Sequence, residues 1–366
     1  MPTPAVARLD IAPCPVPRWL PGGHAQTLAT LFSSYHKIHF VRDRVETPDG
    51  DFLDFDWSGP GLIARRSLQD MQPGQSEGLQ HGAAARWMEI DDWTALGTHS
   101  GIPALILFHG LEGSSASPYA QSIAQYFRAR GWIVVIPHFR GCSGTPNRLA
   151  RAYHSGDSEE IDFMLASVRT RLPQVMWHAA GVSLGGNALL KYLGEQRQDA
   201  GWLTACAAIS APVDLVASGR SLGRPLLPRH LYSRVFLKTM KAKVLEKARR
   251  FPGVIDILRL EHAHTLQEFD DAYTAPMHGF RDVLDYWTQC SAKPLLGQVT
   301  VPTLVINARN DPFLPAQALP VAAECAGSIL LHQPDDGGHA VFPTGNFPSH
   351  QGWLPQRLGT FFETGL

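Results

Sequence analysis

The sequence predicts an α/β fold: a mostly parallel central sheet with helices on both faces and a helical cap inserted late in the sheet. Three observations carry that reading. Short, wholly apolar runs such as Ala104–Phe108 and Trp132–Pro137 recur, as expected of strands buried on both faces. They alternate with stretches of helical spacing, the rhythm of strand–helix–strand units. The rhythm breaks once, over residues 211–292, in a long helical excursion, and then resumes.

The elements follow in order, and residues 1–366 read as one domain. Residues 1–38 form a proline-rich lead with five prolines in the first 17 positions, and Asp10 interrupts any apolar run. This lead reads as neither a secretory signal nor a membrane span. A hairpin comes next: His39–Thr47, the turn Pro48-Asp49-Gly50, and Phe52–Trp57. In the second arm Leu53, Phe55 and Trp57 alternate with Asp54 and Asp56, the period of a half-buried strand. Residues 59–101 lose periodicity and carry Gly59-Pro60-Gly61, Gln72-Pro73-Gly74-Gln75 and a Gly82–Ala85 run. They read as a loop insertion with one strand at Arg86–Ile90.

From residue 103 the α/β rhythm sets in. Strand Pro103–Phe108 precedes helix Pro118–Arg130, which Gly131 stops. Strand Trp132–Pro137 precedes a helix over 157–171, with Asp157 or Ser158 at its cap. Strand Val175–Ala180, helix Leu184–Gln196 and strand Leu203–Ile209 follow. After the excursion come strand Val301–Ala308, helix Pro315–Ala326, strand Ser328–Leu331 and helix Gln351–Glu363. An insertion at 211–292 would cap the carboxyl ends of the strands, where open sheets of this kind bind ligands.

Composition narrows the function. A formal net charge of −1 offers no electrostatic footprint for nucleic acid. The five cysteines, Cys14, Cys142, Cys206, Cys290 and Cys325, are scattered, and no two stand at metal-ligand spacing. That usage suits a reducing compartment and predicts a cytoplasmic location.

The chemistry centres on Gly181-Val182-Ser183-Leu184-Gly185-Gly186-Asn187. Here Gly-x-Ser-x-Gly follows a buried strand and opens a helix, the setting of a nucleophile elbow. Gly181 and Gly185 remove Cβ atoms that so tight a turn would drive into backbone. The serine stands at a helix N-terminus, which favours negative charge. A serine alcohol needs a base, and the base an orienting acid, in the chain order serine, acid, histidine. Among the downstream histidines, His339 occupies a glycine-rich loop after the last strand, Asp335-Asp336-Gly337-Gly338-His339. His230, His262 and His264 fall in the cap and read as surface residues, and His332 falls on a strand. Asp311, just past a strand, is the preferred acid and Asp214 its rival; Asp335 and Asp336 shape the turn. The backbone N–H groups of Leu184 and Leu111 are candidate oxyanion donors. Gly110 allows close backbone approach, Gly186 belongs to the elbow, and His109, upstream of Ser183, reads as a support beneath the site.

These residues resemble the α/β-hydrolase superfamily and, within it, the YheT-like branch that holds animal lipases with α/β-hydrolase domains and plant embryogenesis-associated proteins. The likeness runs over most of the chain. It includes Pro21-Gly22-Gly23-His24-Ala25-Gln26-Thr27-Leu28, Thr47–Asp51, His109–Gly113 with Ser117-Pro118-Tyr119, Phe139–Gly144, Tyr153–Gly156, the elbow, Ser210-Ala211-Pro212, Thr274-Ala275-Pro276, Asn310–Phe313 and Gly337–His339. The resemblance implies a catalytic triad at Ser183, Asp311 and His339. Two departures stand out: the long insertion at 59–101, and the acidic run Asp157–Asp162.

The expectation is a serine hydrolase of carboxylic esters, with a short- or medium-chain acyl ester or a lipid-like molecule as substrate. The chemistry calls for no metal or organic cofactor. An acyltransferase or thioesterase would use the same triad, and a non-catalytic binding module is the less favoured alternative. Residues 220–259 carry eleven Arg and Lys against Glu246 and Asp256, with Phe236, Met240, Val244 and Ala248 at helical spacing. Such a helix can meet an anionic membrane or substrate. The plainer reading, which we favour, is a cap helix with its apolar side on the body and its charges in water.

Overall fold

The computed structural model describes residues 6–31, 33, 37–63, 83–223 and 227–365. Among the described residues ten strands build one sheet in the order β1-β10-β9-β8-β7-β5-β6-β3-β2-β4. In chain order they are β1 (Arg8–Asp10), β2 (Phe40–Glu46), β3 (Phe52–Ser58), β4 (Ala84–Trp87), β5 (Pro103–Phe108), β6 (Ile133–Pro137), β7 (Met176–Val182), β8 (Ala205–Ile209), β9 (Thr303–Ile306) and β10 (Ile329–His332). Pairing is parallel except where β3 meets β2 and β6. The helices are α1 (Gly22–Leu28), α2 (Ile90–Gly97), α3 (Pro118–Arg128), α4 (Ser158–Arg171), α5 (Leu184–Gln196), α6 (Leu215–Leu222), α7 (Leu227–Arg250), α8 (Ile257–His262), α9 (Leu266–Phe269), α10 (Ala275–Met277), α11 (Val283–Cys290) and α12 (Trp353–Thr364).

Why apolar runs became strands is visible in β5. Ala104, Ile106 and Phe108 pack into one core with Ile161 and Leu165 of α4 and Leu189 of α5. Leu105 and Leu107 pack into the opposite core with Ile123 and Phe127 of α3 and Leu358 of α12. A strand covered on both faces has no polar side to alternate with.

Four expectations change. The second hairpin arm is buried throughout. Asp54 and Asp56 are covered and neutralised across the ladder, Asp54 by Arg44 at 2.7 Å and Asp56 by Arg42 at 2.7 Å. The proline-rich lead is more than a lead: β1 extends the sheet against β10, and α1 follows. Part of 59–101 is ordered structure. Residues 84–87 join the sheet beside β2, and Ile90–Gly97 is a helix whose first turn is closed by Glu89 and Asp92. Residues 64–82 of that insertion, with Gln72-Pro73-Gly74-Gln75, lie outside the described residues. Finally, Pro315–Ala326 is not a helix but two short turns, Ala316–Ala318 and Ala322–Glu324. Pro320 lies between them; it lacks an N–H and forces Leu319 into extended backbone at ψ 147°.

Two carboxylates of the acidic run are paired locally, while Glu159 and Asp162 are exposed. Asp157 caps α4 through the Glu160 N–H and pairs with Arg151, while Glu160 pairs with Arg140 at 2.6 Å. Between β8 and β9 the helices α6 to α11 form a layer with its own small core, including Leu237, Val244, Leu260, Phe269 and Tyr273. Among the described residues no helix is long and apolar enough to cross a membrane.

Candidate active site

Ser183 joins β7 to α5 with φ 53° and ψ −118°, a conformation that L-residues adopt at a cost and that lifts the side chain clear of both elements. The neighbouring glycines make it feasible. A Cβ on Gly181 would lie 2.4 Å from the Gly185 carbonyl oxygen, and one on Gly185 would lie 2.6 Å from that of His109. A Cβ on Gly186 would meet the Gly181 carbonyl at 2.9 Å. Asn187, fully buried, ties the elbow to its surroundings. Its amide donates to the Ser155 and Cys290 carbonyls and accepts the Ala292 N–H.

The loop after β10 brings His339 to the serine. His339 Nε2 lies 3.0 Å from Ser183 Oγ, and Nδ1 lies 2.7 Å from Asp311 Oδ2. A carboxylate can only accept, so Nδ1 carries the proton and Nε2 is free to accept from the serine. The Asp311 side chain is buried, and its other oxygen accepts the Phe313 N–H at 2.8 Å. The Phe313 ring packs on His339 with centroids 4.3 Å apart. The rival, Asp214, instead caps α6 through the Ala217 N–H. Asp335 is exposed, and Asp336 accepts from Gln26 and Asn310. His262 and His264 are exposed on the cap, and His332 lies on β10 bonded to the Ala12 carbonyl. The side chain of His230 is outside the described set.

The loop after β5 faces the elbow. Leu184 opens α5, so its N–H has no carbonyl one turn earlier to receive it. Around Leu111 the flanking N–H groups are taken by tyrosines: Gly110 donates to Tyr119 Oη and Glu112 to Tyr153 Oη, each at 2.9 Å. Gly110 approaches Ser183 so closely that a Cβ there would sit 3.2 Å from the serine Cβ. His109 is fully buried; Nδ1 donates to the Gly110 carbonyl and Nε2 accepts the Phe139 N–H. Burial pushes its pKa down to about 3, so the ring is neutral and braces two loops beneath the site.

A cavity of about 770 Å³ opens on Ser183 and His339, with Leu111 and Leu184 in its wall. The cap supplies apolar lining from Leu215, Phe236, Met240, Phe269 and Trp287. The basic face of α7 does not simply point to water. Lys243 pairs with Glu112 at 2.9 Å, and Lys247 is buried and donates to the Leu149 and Arg151 carbonyls. Asp270 also borders the cavity, accepting from Thr274 Oγ1 and Trp287 Nε1; burial pushes its pKa up to about 6.

Sequence reasoning left Gln26, Thr27 and Ser210 without a role, yet all three bond directly to the histidine loop. Their signal was the short motifs Gly23–Thr27 and Ser210–Pro212, which no local pattern explains.

The model of the family described as alpha/beta hydrolase fold matches residues 103–346. YheT of Escherichia coli is 34% identical over 346 residues, covering 94% of this chain and 91% of that protein. Phospholipase ABHD3 of Homo sapiens is 29% identical, covering 94% of this chain and 77% of its own. Among solved structures, a Pyrococcus furiosus esterase superposes with a TM-score of 0.51 at 15% identity, covering 99% of each chain, which establishes likeness of fold.

Proposed function

Because this chain belongs to the α/β-hydrolase family, in its YheT-like branch, we propose that its carboxylic ester hydrolase activity runs through an acyl-enzyme on Ser183. The observation that carries this is the continuous pair of contacts from Ser183 Oγ to His339 Nε2 and from His339 Nδ1 to Asp311 Oδ2.

Ser183 Oγ attacks the ester carbonyl as its proton passes to His339 Nε2. Asp311 holds the ring in the required tautomer and stabilises the imidazolium. Negative charge develops on the former carbonyl oxygen, and the N–H groups of Leu111 and Leu184 receive it. The tetrahedral species collapses, and His339 returns the proton to the departing alcohol. Water, deprotonated by His339, then attacks the acyl-serine and releases the acid.

The cavity supports an acyl ester of short to medium length or a lipid-like ester. Its volume lies within the range of small-molecule sites, and its cap-side wall is largely apolar. The named activity of the human relative, a phospholipase, agrees with a lipid-like substrate. A different acceptor in the second step would make the same machinery an acyltransferase, and a thioester substrate would make it a thioesterase. The five free, buried cysteines support a cytoplasmic location.

A fluorophosphonate probe tests the nucleophile. Covalent labelling of the parent but not of Ser183→Ala is expected, with kcat lower by on the order of 10⁶ if serine and histidine act as one unit. A folded parent that fails to label would instead support a binding module.

A further inference from the structure

Among the described residues the loop that carries His339 has no strand partner to satisfy its backbone, yet four successive N–H groups in it are satisfied. Gly337 donates to Gln26 Oε1 at 2.8 Å and Gly338 to Asn310 Oδ1 at 3.1 Å. His339 donates to Thr27 Oγ1 and Ala340 to Ser210 Oγ, both at 2.9 Å. All four acceptors are side chains, and they come from three separate places: α1, the end of β8 and the loop after β9.

From this we infer that Gln26, Thr27, Asn310 and Ser210 form a clamp that sets the position of the His339 ring, making them positioning residues for proton transfer at Ser183. The inference rests on the acyl-enzyme reading above.

The acceptors are themselves held. Gln26 is buried, and its amide donates to the Leu20 carbonyl and to Asp336 Oδ1. Thr27 Oγ1 donates to the Gly23 carbonyl at 2.7 Å, and Asn310 Nδ2 donates to both Gln26 Oε1 and Asp336 Oδ1. Backbones approach too closely for side chains at two points. A Cβ on Gly23 would fall 1.8 Å from the Asn310 carbonyl oxygen, and one on Gly338, at φ 65°, would fall 2.8 Å from the Thr27 nitrogen. Asn310 directly precedes Asp311, so the same cluster spaces the acid and the base whose contact is 2.7 Å. An N–H that loses its acceptor here is left unpaired, and the loop must shift to find another. A general base tolerates little displacement, because proton transfer requires the reacting atoms at hydrogen-bond distance.

The test uses Thr27→Val, which keeps the shape and removes the acceptor, with Thr27→Ser as the restoring variant and Ser210→Ala on a different element. Two readouts on the full chain are combined: kcat and KM for p-nitrophenyl butyrate, and the low-field proton resonance of the His339 Nδ1–H shared with Asp311. Thr27→Val and Ser210→Ala should each lower kcat roughly ten- to hundredfold, the scale of a small misplacement at a reacting centre. KM should stay within about twofold, the resonance should shift or broaden, and Thr27→Ser should recover most of kcat. On a His339→Ala background Thr27→Val should leave the residual activity unchanged. Parent-like kcat with an unshifted resonance in both variants would overturn the clamp, as would an equal loss on the His339→Ala background. If the parent shows no esterase activity the acyl-enzyme reading fails, while the resonance still reports on the clamp.

Discussion

Ser183 and His339 each depend on atoms they do not own: the serine on glycines that vacate space, the histidine on an acid 28 residues earlier. The acid can be identified by substitution. Asp311→Asn should lower kcat about 10⁴-fold, since an amide can hold the imidazole in the wrong tautomer. Asp214→Asn should leave kcat near the parent value, because asparagine caps a helix as well as aspartate does. Steady-state kinetics of the two variants decide the matter, and the reverse pattern would make Asp214 the acid. At this scale the sequence was informative where order along the chain matters. Ser183, Asp311 and His339 were singled out by chain order and by standing at strand ends, and they meet within 3.0 Å. Thr27 was not singled out, because a threonine hydroxyl that accepts one N–H from the far end of the chain leaves no periodic trace.

Elements were legible in proportion to how local their causes are. Leu184–Gln196 is a helix over the expected residues, started by the elbow itself. Ile90–Gly97 was missed because its eight residues are too few to display a clear helical period, although Glu89 and Asp92 close its first turn. Helix α7 carries the apolar spacing expected of it, with Val244 and Ala248 in the cap core. Its lysines, however, were read as solvated when two of them turn inward. Lys243 reaches Glu112, which sits at φ 56° beside Leu111, so the cap touches the loop proposed to receive the oxyanion. The Lys243 side chain is 40% exposed, so losing the pair should cost under about 1 kcal/mol of stability. Lys243→Met should nonetheless lower kcat several-fold, because Glu112 then keeps Tyr153 alone as its carboxylate partner among these contacts. Thermal melts and kinetics together test this. A loss of stability with unchanged kcat would make the pair a fastening for the cap and nothing more.

For the whole molecule, buried histidines set an acid limit. Burial pushes His178 down to about 4, and His109 and His278 down to about 3, from an ordinary value of 6.5. Unfolded, these rings take up protons near pH 6.5; folded, they do so only far lower. Between those values the unfolded chain binds more protons, so stability falls as pH falls. The three rings should therefore pull the urea midpoint down from about pH 7 to about pH 4, against the opposite pull of Asp270 and Glu160, whose pKa burial raises to about 6 and about 7; a midpoint that rises towards pH 4 would contradict the burial of these rings as neutral groups.

The parallel sheet, the tight turn at Ser183 and the chain order of the serine, acid and histidine proposed to react were legible in the sequence, because hydrophobic period, turn chemistry and chain order are written in neighbouring residues. Which distant groups hold that order in place depends on packing between elements far apart in the chain. Gln26 and Gly337 are 311 residues apart. They meet because β1 pairs with β10 at the sheet edge and so delivers α1 to the loop that follows β10. The balance of burial and pairing across the whole sheet made that contact, and no window of consecutive residues contains it.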